Sequence, residues 1–216
     1  MQQVQAVIFD MDGVIVDSEP LHERAFLDVA REIGYGDKLA INFADYIGRS
    51  DQEFWVDFVA RQKAPQSPED LLVRKRQVMI EIIRREQPVF DGVTKLLEQL
   101  AARYTLALAS GSEGPVVEEV LKLKQLGRFF SAVVTCLDVL VGKPAPDIFL
   151  RAAELLKMPP QACCVIEDSK PGIAAGLAAG MTVIAIANTH PAGELRHATH
   201  VVNTYAEIER LLLNSQ

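Results

Sequence analysis

Two acidic pairs stand out in the sequence, because each follows a short run of apolar residues. Asp10 and Asp12 follow Val-Ile-Phe and are separated by one residue, and Gly13 then permits the chain to turn. Glu167 and Asp168 follow Cys-Val-Ile. Adjacent carboxylates at the end of a buried strand are unfavourable unless a cation compensates them, and oxygen ligands of this kind suit Mg²⁺. The alternatives are an ordinary solvated turn for the first pair and a helix N-terminus that favours acids for the second.

Two further segments could bind a phosphate. Ser110, Gly111 and Ser112 follow Leu-Ala-Leu-Ala and precede a helical pattern, so a hydroxyl and free backbone amides would form an anion cradle there. Lys143 lies in Gly-Lys-Pro-Ala-Pro-Asp, where two prolines stiffen the approach to a helix that Asp147 can cap. The lysine would then be a fixed positive charge. Taken singly, the serine could be a simple helix cap and the lysine a surface residue.

Short apolar and β-branched runs predict six strands, and each run ends at a polar or glycine-rich turn. The runs lie at 4–9, 105–109, 132–135, 164–166, 182–186 and 200–202. Most are uninterrupted, which indicates strands buried on both faces, as in a parallel sheet. Helical patterns lie between them at 93–102, 115–126, 148–156 and 172–179. This alternation predicts an α/β fold with a doubly wound sheet, in which ligands bind outside the carboxyl ends of the strands.

The alternation is interrupted once, by a segment that shows only helical periodicity. Between about residues 18 and 87, apolar residues recur at three- and four-residue spacings over 25–33, 52–61 and 69–85. The strand pattern resumes after residues 88–92. We therefore predict a helical domain at 17–87, inserted into a core domain formed by 1–16 and 88–216.

The composition argues against nucleic-acid and membrane partners. The 216 residues carry a formal net charge of -7, so no overall basic field is available to bind nucleic acid, although local cations could still bind a small anion. Residues 171–193 include no Asp, Glu, Lys or Arg, but their prolines and glycines argue against a membrane span. The three cysteines show no metal-ligand spacing, and the N-terminus lacks the pattern of a signal peptide. We expect a cytoplasmic monomer.

The four motifs gain specificity from their order along the chain. Asp-x-Asp, Ser, Lys and Glu-Asp each lie at the expected carboxyl end of a strand, with a helical insert after the first. In this order the sequence resembles the haloacid dehalogenase superfamily, and within it the branch of β-phosphoglucomutase and small sugar-phosphate phosphatases. The resemblance covers residues 4 to about 212. It implies a Rossmann-like core with an α-helical cap inserted after the first strand.

The resemblance also implies roles for the core residues. Asp10 would be the nucleophile that forms an aspartyl-phosphate, and Asp12 would be the general acid and base. Family members that act on haloacids lack an aspartate at the position of Asp12, so its presence favours phosphate chemistry. The transferring phosphoryl group would be held by the catalytic residues Ser110 and Lys143 and by the neighbouring Gly111 and Ser112.

The implied cofactor is Mg²⁺. Its ligands would be Asp10, the backbone carbonyl of Asp12, and Asp168. Glu167 would be either a direct ligand or a neighbour of one. The ion and Lys143 would neutralise the encounter between a carboxylate nucleophile and a phosphate dianion.

Three residues of the insert are candidates for substrate contact. His22 lies twelve positions after Asp10, and this spacing resembles β-phosphoglucomutase, in which the matching histidine couples acid/base positioning to cap closure. Arg49 directly follows Gly48, whereas the mutase has its arginine shortly after its own cap glycine, so this match is approximate. Lys75 lies in an Arg-Lys-Arg cluster whose charges could equally be solvated on a helix face.

The expected activity is hydrolysis of a small phosphorylated metabolite, such as a sugar phosphate, through the aspartyl-phosphate. A β-phosphoglucomutase-type phosphomutase is the alternative, and the outcome depends on whether cap closure excludes water from the intermediate. A phosphorelay receiver domain also combines an acidic pair with Ser/Thr and Lys, but it is shorter and needs no insert. A nucleotide-binding module would carry GxxxxGK[ST] or GxGxxG after the first strand, and neither motif follows it. A catalytically silent interaction protein would not need every charged group of the site.

Overall fold

The computed structural model describes residues 4–36, 41 and 51–214, and the chain divides into two units. The first unit comprises Met1–Asp17 and Pro88–Gln216, and the second comprises Ser18–Gln87. The chain therefore leaves the first unit shortly after its first strand and returns to it at Pro88.

Six parallel strands form the sheet of the first unit. They are β1 (Ala6–Phe9), β2 (Thr105–Ala109), β3 (Ala132–Val134), β4 (Cys163–Glu167), β5 (Thr182–Ile186) and β6 (His200–Val202). Their order across the sheet is β3-β2-β1-β4-β5-β6, which is the order of a doubly wound Rossmann-like fold. Phe9 at the end of β1 is paired with Leu108 on one side and Ile166 on the other, so the carboxyl ends of the central strands are level. The predicted fold class is confirmed.

Eight α-helices lie in the described part of the chain. They are α1 (Glu19–Glu32), α2 (Asp51–Gln62), α3 (Pro68–Glu86), α4 (Val93–Ala101), α5 (Gly114–Lys122), α6 (Asp147–Leu156), α7 (Lys170–Ala178) and α8 (Tyr205–Leu213). The first three belong to the second unit and the other five to the first. In the described part of the chain, none of these helices has both the length and the apolar character that crossing a membrane requires.

The helix predicted at 115–126 is shorter in the structure. α5 ends at Lys122, and a kinked 3₁₀ segment follows it. Lys124 and Gln125 have φ angles of +46° and +55°, which lie in the left-handed region and break the right-handed helix. The apolar spacing continues across this break, so periodicity alone overextended the prediction.

The helical unit is held together by an aromatic cluster. Phe54, Trp55 and Phe58 on α2 are buried, and their spacing of three and four residues places them on one face of the helix. Phe26 on α1 meets this face, with its ring centroid 4.0 Å from that of Phe54. The helical periodicity in the sequence thus corresponds to a buried aromatic stripe, which contributes packing beyond area burial.

Candidate active site

Four of the sequence motifs meet at the carboxyl edge of the sheet. Asp10 directly follows β1, Ser110 directly follows β2, and Glu167 is the last residue of β4. Lys143 reaches the same place from the loop before α6: its Nζ lies 2.8 Å from Asp10 Oδ1 and 2.7 Å from Glu167 Oε1. These residues converge because parallel strands that are level at their carboxyl ends present the following residues at one edge.

Asp10, Glu167 and Asp168 form a buried acidic cluster. Each offers one carboxylate oxygen, and these oxygens all lie within 4.8 Å of one another. Among the described residues, no donor makes a well-directed hydrogen bond to Asp10 Oδ1, although Lys143 Nζ is close to it. Within the described residues, three carboxylates therefore face the one ammonium of Lys143. Such a set of hard oxygen donors fits a divalent cation like Mg²⁺, which would supply the missing positive charge.

The electrostatics of this cluster show the same imbalance. Burial raises the pKa of Asp10 well above its usual range, and although Lys143 opposes this, the neighbouring carboxylates raise the pKa further. Burial also raises the pKa of Asp168 to about 7, with Glu167 adding to the effect. For Lys143, burial lowers the pKa, but the Asp10 and Glu167 carboxylates outweigh burial and raise it. The lysine stays charged, while two acids are held in conditions that disfavour their charged forms.

Both carboxylate oxygens of Glu167 accept hydrogen bonds from neighbouring groups. Oε1 accepts from Lys143, and Oε2 accepts from the backbone amides of Asp168 and Ser169 at 2.7 and 2.6 Å. Burial alone would raise the pKa of Glu167, yet Lys143 and Ser169 lower it overall. A side chain at Gly172 would overlap the Glu167 carboxyl group, so α7 approaches this acid closely. Glu167 thereby fixes the position of Lys143.

The Asp12 carboxylate is bonded to the Ser-Gly-Ser segment, and its charge also raises the pKa values of Asp10 and Asp168. Its Oδ2 accepts hydrogen bonds from Ser112 Oγ at 2.7 Å and from Ser110 Oγ at 3.2 Å. The backbone amide of Ser112 donates to Ser110 Oγ at 3.0 Å, which closes the turn. Gly111 at the centre of this turn is exposed, and its position has open space around it. The structure thus places the candidate acid beside the candidate phosphate cradle.

Gly13 makes the turn after the Asp-x-Asp motif possible. Its φ is +72°, a backbone conformation that residues with a side chain rarely adopt. A Cβ at this position would also overlap the Asp168 carboxylate. The carbonyl of Met11 then accepts the amides of Val14, Ile15 and Val16 at 2.7–3.3 Å. The turn brings the two acidic pairs together, although they are more than 150 residues apart in the sequence.

Sequence reasoning missed three residues at this edge. Thr189 Oγ1 donates to Asp168 Oδ2, Asn188 Nδ2 donates to the Gly13 carbonyl at 2.8 Å, and Tyr205 Oη donates to the Val14 carbonyl at 2.8 Å. Asn188 and Thr189 follow the carboxyl end of β5. The rule that selected the other candidates would have found these two, but neither carries a charge that draws attention.

Two of the insert candidates lie together within the helical unit. Lys75 on α3 is 2% exposed, and its Nζ lies 2.7 Å from His22 Nδ1 on α1. Asp51, the first residue of α2, accepts from Lys75 at 2.5 Å. Burial would raise the pKa of Asp51, but His22 and Lys75 together lower it well below its usual range. Lys75 is therefore no solvated helix-face charge, and its role toward substrate stays a prediction. The third candidate, Arg49, lies outside the described residues.

The haloacid dehalogenase-like hydrolase family model matches residues 4–180 of the chain. Hexitol phosphatase B of Escherichia coli (strain K12) is 30% identical over 187 residues, which cover 86% of this chain and 84% of the relative. β-Phosphoglucomutase of Mycobacterium tuberculosis is 31% identical over 212 residues, covering 85% and 80%. The crystal structure of CbbY from Rhodobacter sphaeroides with xylulose-(1,5)bisphosphate superimposes with a TM-score of 0.84 at 24% identity, covering 95% of this chain and 96% of that one. This last likeness shows the fold.

Proposed function

Because the chain belongs to the haloacid dehalogenase-like hydrolase family, we propose that this enzyme hydrolyses the monoester of a small sugar phosphate or sugar-alcohol phosphate through an aspartyl-phosphate on Asp10. Membership in the family confirms the resemblance inferred from the order of the four motifs. The observation that carries the proposal is the Asp10–Lys143 pair at 2.8 Å inside an acidic cluster, beside an Asp12 that is bonded to two serines.

The first step of the proposed reaction transfers the phosphoryl group to the enzyme. A carboxylate oxygen of Asp10 forms a bond to phosphorus while the bond between phosphorus and the ester oxygen breaks. Asp12 gives its proton to the departing alkoxide, so that an alcohol leaves. Lys143 is charged and held next to Asp10, and it offsets the negative charge that collects on the phosphoryl oxygens. The Ser110 hydroxyl and the turn at Gly111 and Ser112 would hold those oxygens.

The second step releases phosphate and restores the enzyme. Asp12, now a carboxylate, takes a proton from a water molecule, and the water oxygen forms a bond to phosphorus. The bond between phosphorus and the Asp10 oxygen breaks, which yields inorganic phosphate and the free Asp10 carboxylate. Asp12 is protonated again, so protons balance over the cycle. Each of the two residues thus serves in both halves of the reaction.

Asp10 and Asp168, together with the backbone carbonyl of Asp12, are proposed to hold Mg²⁺, with Glu167 holding Lys143 beside it. When bound, the ion would neutralise phosphoryl charge and orient the group for in-line attack. The buried acidic cluster supports this assignment, because its three carboxylates carry more negative charge than the neighbouring Lys143 ammonium offsets. The three free thiols fit a cytoplasmic location, which we propose with it.

The helical unit Ser18–Gln87 is proposed to act as the cap that selects the substrate. The His22–Asp51–Lys75 cluster supports this role, because two polar residues expected to serve substrate are held in a fixed geometry by a third. A phosphomutase is the second candidate function, favoured by the M. tuberculosis relative named β-phosphoglucomutase and by this histidine. In that case the aspartyl-phosphate would be protected from water, and its phosphoryl group would be transferred from Asp10 to a sugar hydroxyl.

A substrate and metal screen tests the proposal. Phosphate release is measured from hexitol phosphates, fructose 1-phosphate and β-glucose 1-phosphate, with Mg²⁺ or with a chelator. We expect turnover of a sugar or hexitol phosphate that requires the metal and is absent in Asp10→Asn. The exposed Asp91→Asn serves as the matched control. Turnover that persists in Asp10→Asn would contradict the proposal. Formation of glucose 6-phosphate from β-glucose 1-phosphate and a bisphosphate primer would select the phosphomutase instead.

A further inference from the structure

Two side chains from other parts of the chain donate hydrogen bonds to the backbone carbonyls of the turn that follows Asp12. Asn188 Nδ2 donates to the Gly13 carbonyl at 2.8 Å and to Tyr205 Oη at 2.9 Å. Tyr205 Oη in turn donates to the Val14 carbonyl at 2.8 Å. Two consecutive carbonyls of the turn are therefore bound by two side chains that are bonded to each other. All four residues belong to the first unit of the chain.

The amides of the same turn are satisfied from inside. The Gly13 amide donates to the Val16 carbonyl at 2.9 Å, and the Val14 amide donates to the Met11 carbonyl at 3.3 Å. Internal bonds thus fix the amides, and Asn188 and Tyr205 fix the carbonyls. Rotation of the peptide that follows Gly13 would break the bond from Asn188, so the side chains hold this glycine in its left-handed conformation.

Both residues are anchored in rigid parts of the fold. Asn188 lies two residues after β5, and its neighbour Thr189 donates to the Asp168 carboxylate. Tyr205 is the first residue of α8, and its ring contacts Phe90 with a centroid distance of 6.4 Å. One short segment after β5 therefore contacts both acid-bearing loops of the site.

The position of Asp12 depends on this turn. Asp12 directly precedes Gly13, and its carboxylate is aligned by Ser112 and Ser110. Transfer of a proton to a leaving oxygen requires the acid to lie within hydrogen-bond reach, and small displacements reduce the rate strongly. A turn that can rotate would leave Asp12 mispositioned even if Asp10, Lys143 and the acidic cluster stay in place.

We infer that Asn188 and Tyr205 are positioning residues for proton transfer by Asp12, a role that rests on the proposed function. Their hydrogen bonds run to each other and to the backbone of the turn. They act by holding the Gly13 and Val14 carbonyls. Their loss should therefore impair protonation of the leaving group more than the attack of Asp10 on phosphorus.

Substrates with different leaving groups separate these two effects. p-Nitrophenolate leaves without a proton, whereas the alkoxide of a sugar phosphate needs one. We compare kcat/KM, because this quantity covers only the steps up to release of the leaving group and excludes hydrolysis of the aspartyl-phosphate. For Tyr205→Phe and Asn188→Ala, we expect kcat/KM for the sugar phosphate to fall by about tenfold or more, while kcat/KM for p-nitrophenyl phosphate stays within about twofold.

Tyr104→Phe is the matched control. Tyr104 Oη donates to the Leu212 carbonyl at 2.5 Å, so this change also removes a tyrosine-to-carbonyl bond from the first unit, away from the turn. Tyr205→Phe keeps the ring that contacts Phe90, so the variant retains that packing. The control variant should have unchanged kcat/KM for both substrates. Thermal unfolding of every variant reports its stability.

The outcomes are distinct. An equal loss on both substrates, or no loss in either variant, would overturn the positioning role while leaving the phosphatase proposal intact. A wild-type enzyme that hydrolyses neither substrate, or an active Asp10→Asn, would overturn the proposed function and with it this inference. Selective loss on the sugar phosphate in both variants, absent from Tyr104→Phe, supports the inference.

Discussion

The two units of the chain each contain a buried polar cluster, and the clusters differ in charge balance. In the described part of the first unit, the Lys143 ammonium is set against the three carboxylates of Asp10, Glu167 and Asp168, and the pKa values of Asp10 and Asp168 are raised. The excess negative charge in the first unit is unfavourable until a cation binds.

In the helical unit, one carboxylate is matched by one ammonium and a histidine. Asp51 is bonded to Lys75, which also lies 2.7 Å from His22 Nδ1, and the pKa of Asp51 is lowered. This cluster compensates its own charges. The difference shows that burial of charge alone does not indicate a metal site: an uncompensated excess of negative charge favours one, whereas a balanced set can serve to fix geometry.

Replacing the proposed nucleophile should have the largest effect. Asp10→Asn keeps the shape of the side chain but removes the attacking oxygen, and we expect kcat to fall by at least about 10⁴-fold. The same change removes one of three like charges, so the chelated variant should unfold at a higher temperature than the chelated wild type. Phosphate release and thermal unfolding measure the two effects. Equal or lower stability of the variant would contradict the claim that the cluster is under-compensated.

Breaking the Lys75–Asp51 ion pair of the balanced cluster should lower the stability of the fold. Lys75→Met leaves Asp51 partly buried without its ammonium, and we expect the free energy of unfolding to fall by about 2–3 kcal/mol. Adding Asp51→Asn should restore part of this loss, because the unpaired charge is gone. Denaturant unfolding measures both, with the exposed Lys95→Met as control. A Lys75→Met variant as stable as the control would refute the pairing.

The unbalanced cluster should respond to Mg²⁺ and the balanced one should not. At a concentration a hundred times the dissociation constant, Mg²⁺ should stabilise the wild type by about 2.7 kcal/mol. Asp168→Asn should weaken this effect because it removes a proposed ligand, whereas Asp51→Asn should leave it unchanged. Thermal unfolding with a Mg²⁺ titration makes the comparison. A response that is lost in Asp51→Asn and kept in Asp168→Asn would reverse the assignment.

The pH dependence of stability should have opposite signs for the two clusters. The folded pKa of Asp168 is raised to about 7, so in chelator the folded chain binds more protons than the unfolded chain between about pH 4 and 7. The contribution of Asp168 to the free energy of unfolding therefore falls as the pH rises through this window, by at most about 1.4 kcal/mol per pH unit. The folded pKa of Asp51 is lowered, so its contribution is present above about pH 4 and is lost in more acidic solution.

Denaturant unfolding across pH tests these signs against the wild type. Asp168→Asn should reduce the fall in the free energy of unfolding between about pH 4 and 7. Asp51→Asn should reduce the loss of unfolding free energy below about pH 4. Because other acids titrate as well, only the difference between each variant and the wild type is interpreted. A steeper fall in Asp168→Asn would show that this carboxyl does not have a raised pKa.

The sheet, and the carboxyl edge that carries the candidate active site, could be predicted from the sequence for one physical reason. Parallel strands buried on both faces read as uninterrupted apolar runs, and their carboxyl ends meet at one edge. Asp10, Ser110 and Glu167 could therefore be placed together from their positions after such runs. The same rule applied to Asn188, but an uncharged amide gave no chemical signal, so its bond to the Gly13 carbonyl emerged only from the structure.

Periodicity was less informative in the helices. It identifies the buried face of a helix but not the partner that a polar residue on that face will meet. Lys75 reads as one of three adjacent basic residues, while its partners Asp51 and His22 are 24 and 53 residues away on other helices. The left-handed pair Lys124 and Gln125 was likewise hidden, because neither residue is a glycine.

Chemical trapping of the intermediate tests the central claim most directly. The enzyme is mixed with its sugar phosphate and Mg²⁺, quenched with borohydride, and digested for mass spectrometry, because borohydride reduces an aspartyl-phosphate to homoserine. We predict homoserine at position 10 in the wild type and none without substrate. Turnover accompanied by no modification at Asp10, or by modification of another carboxylate, would contradict the account.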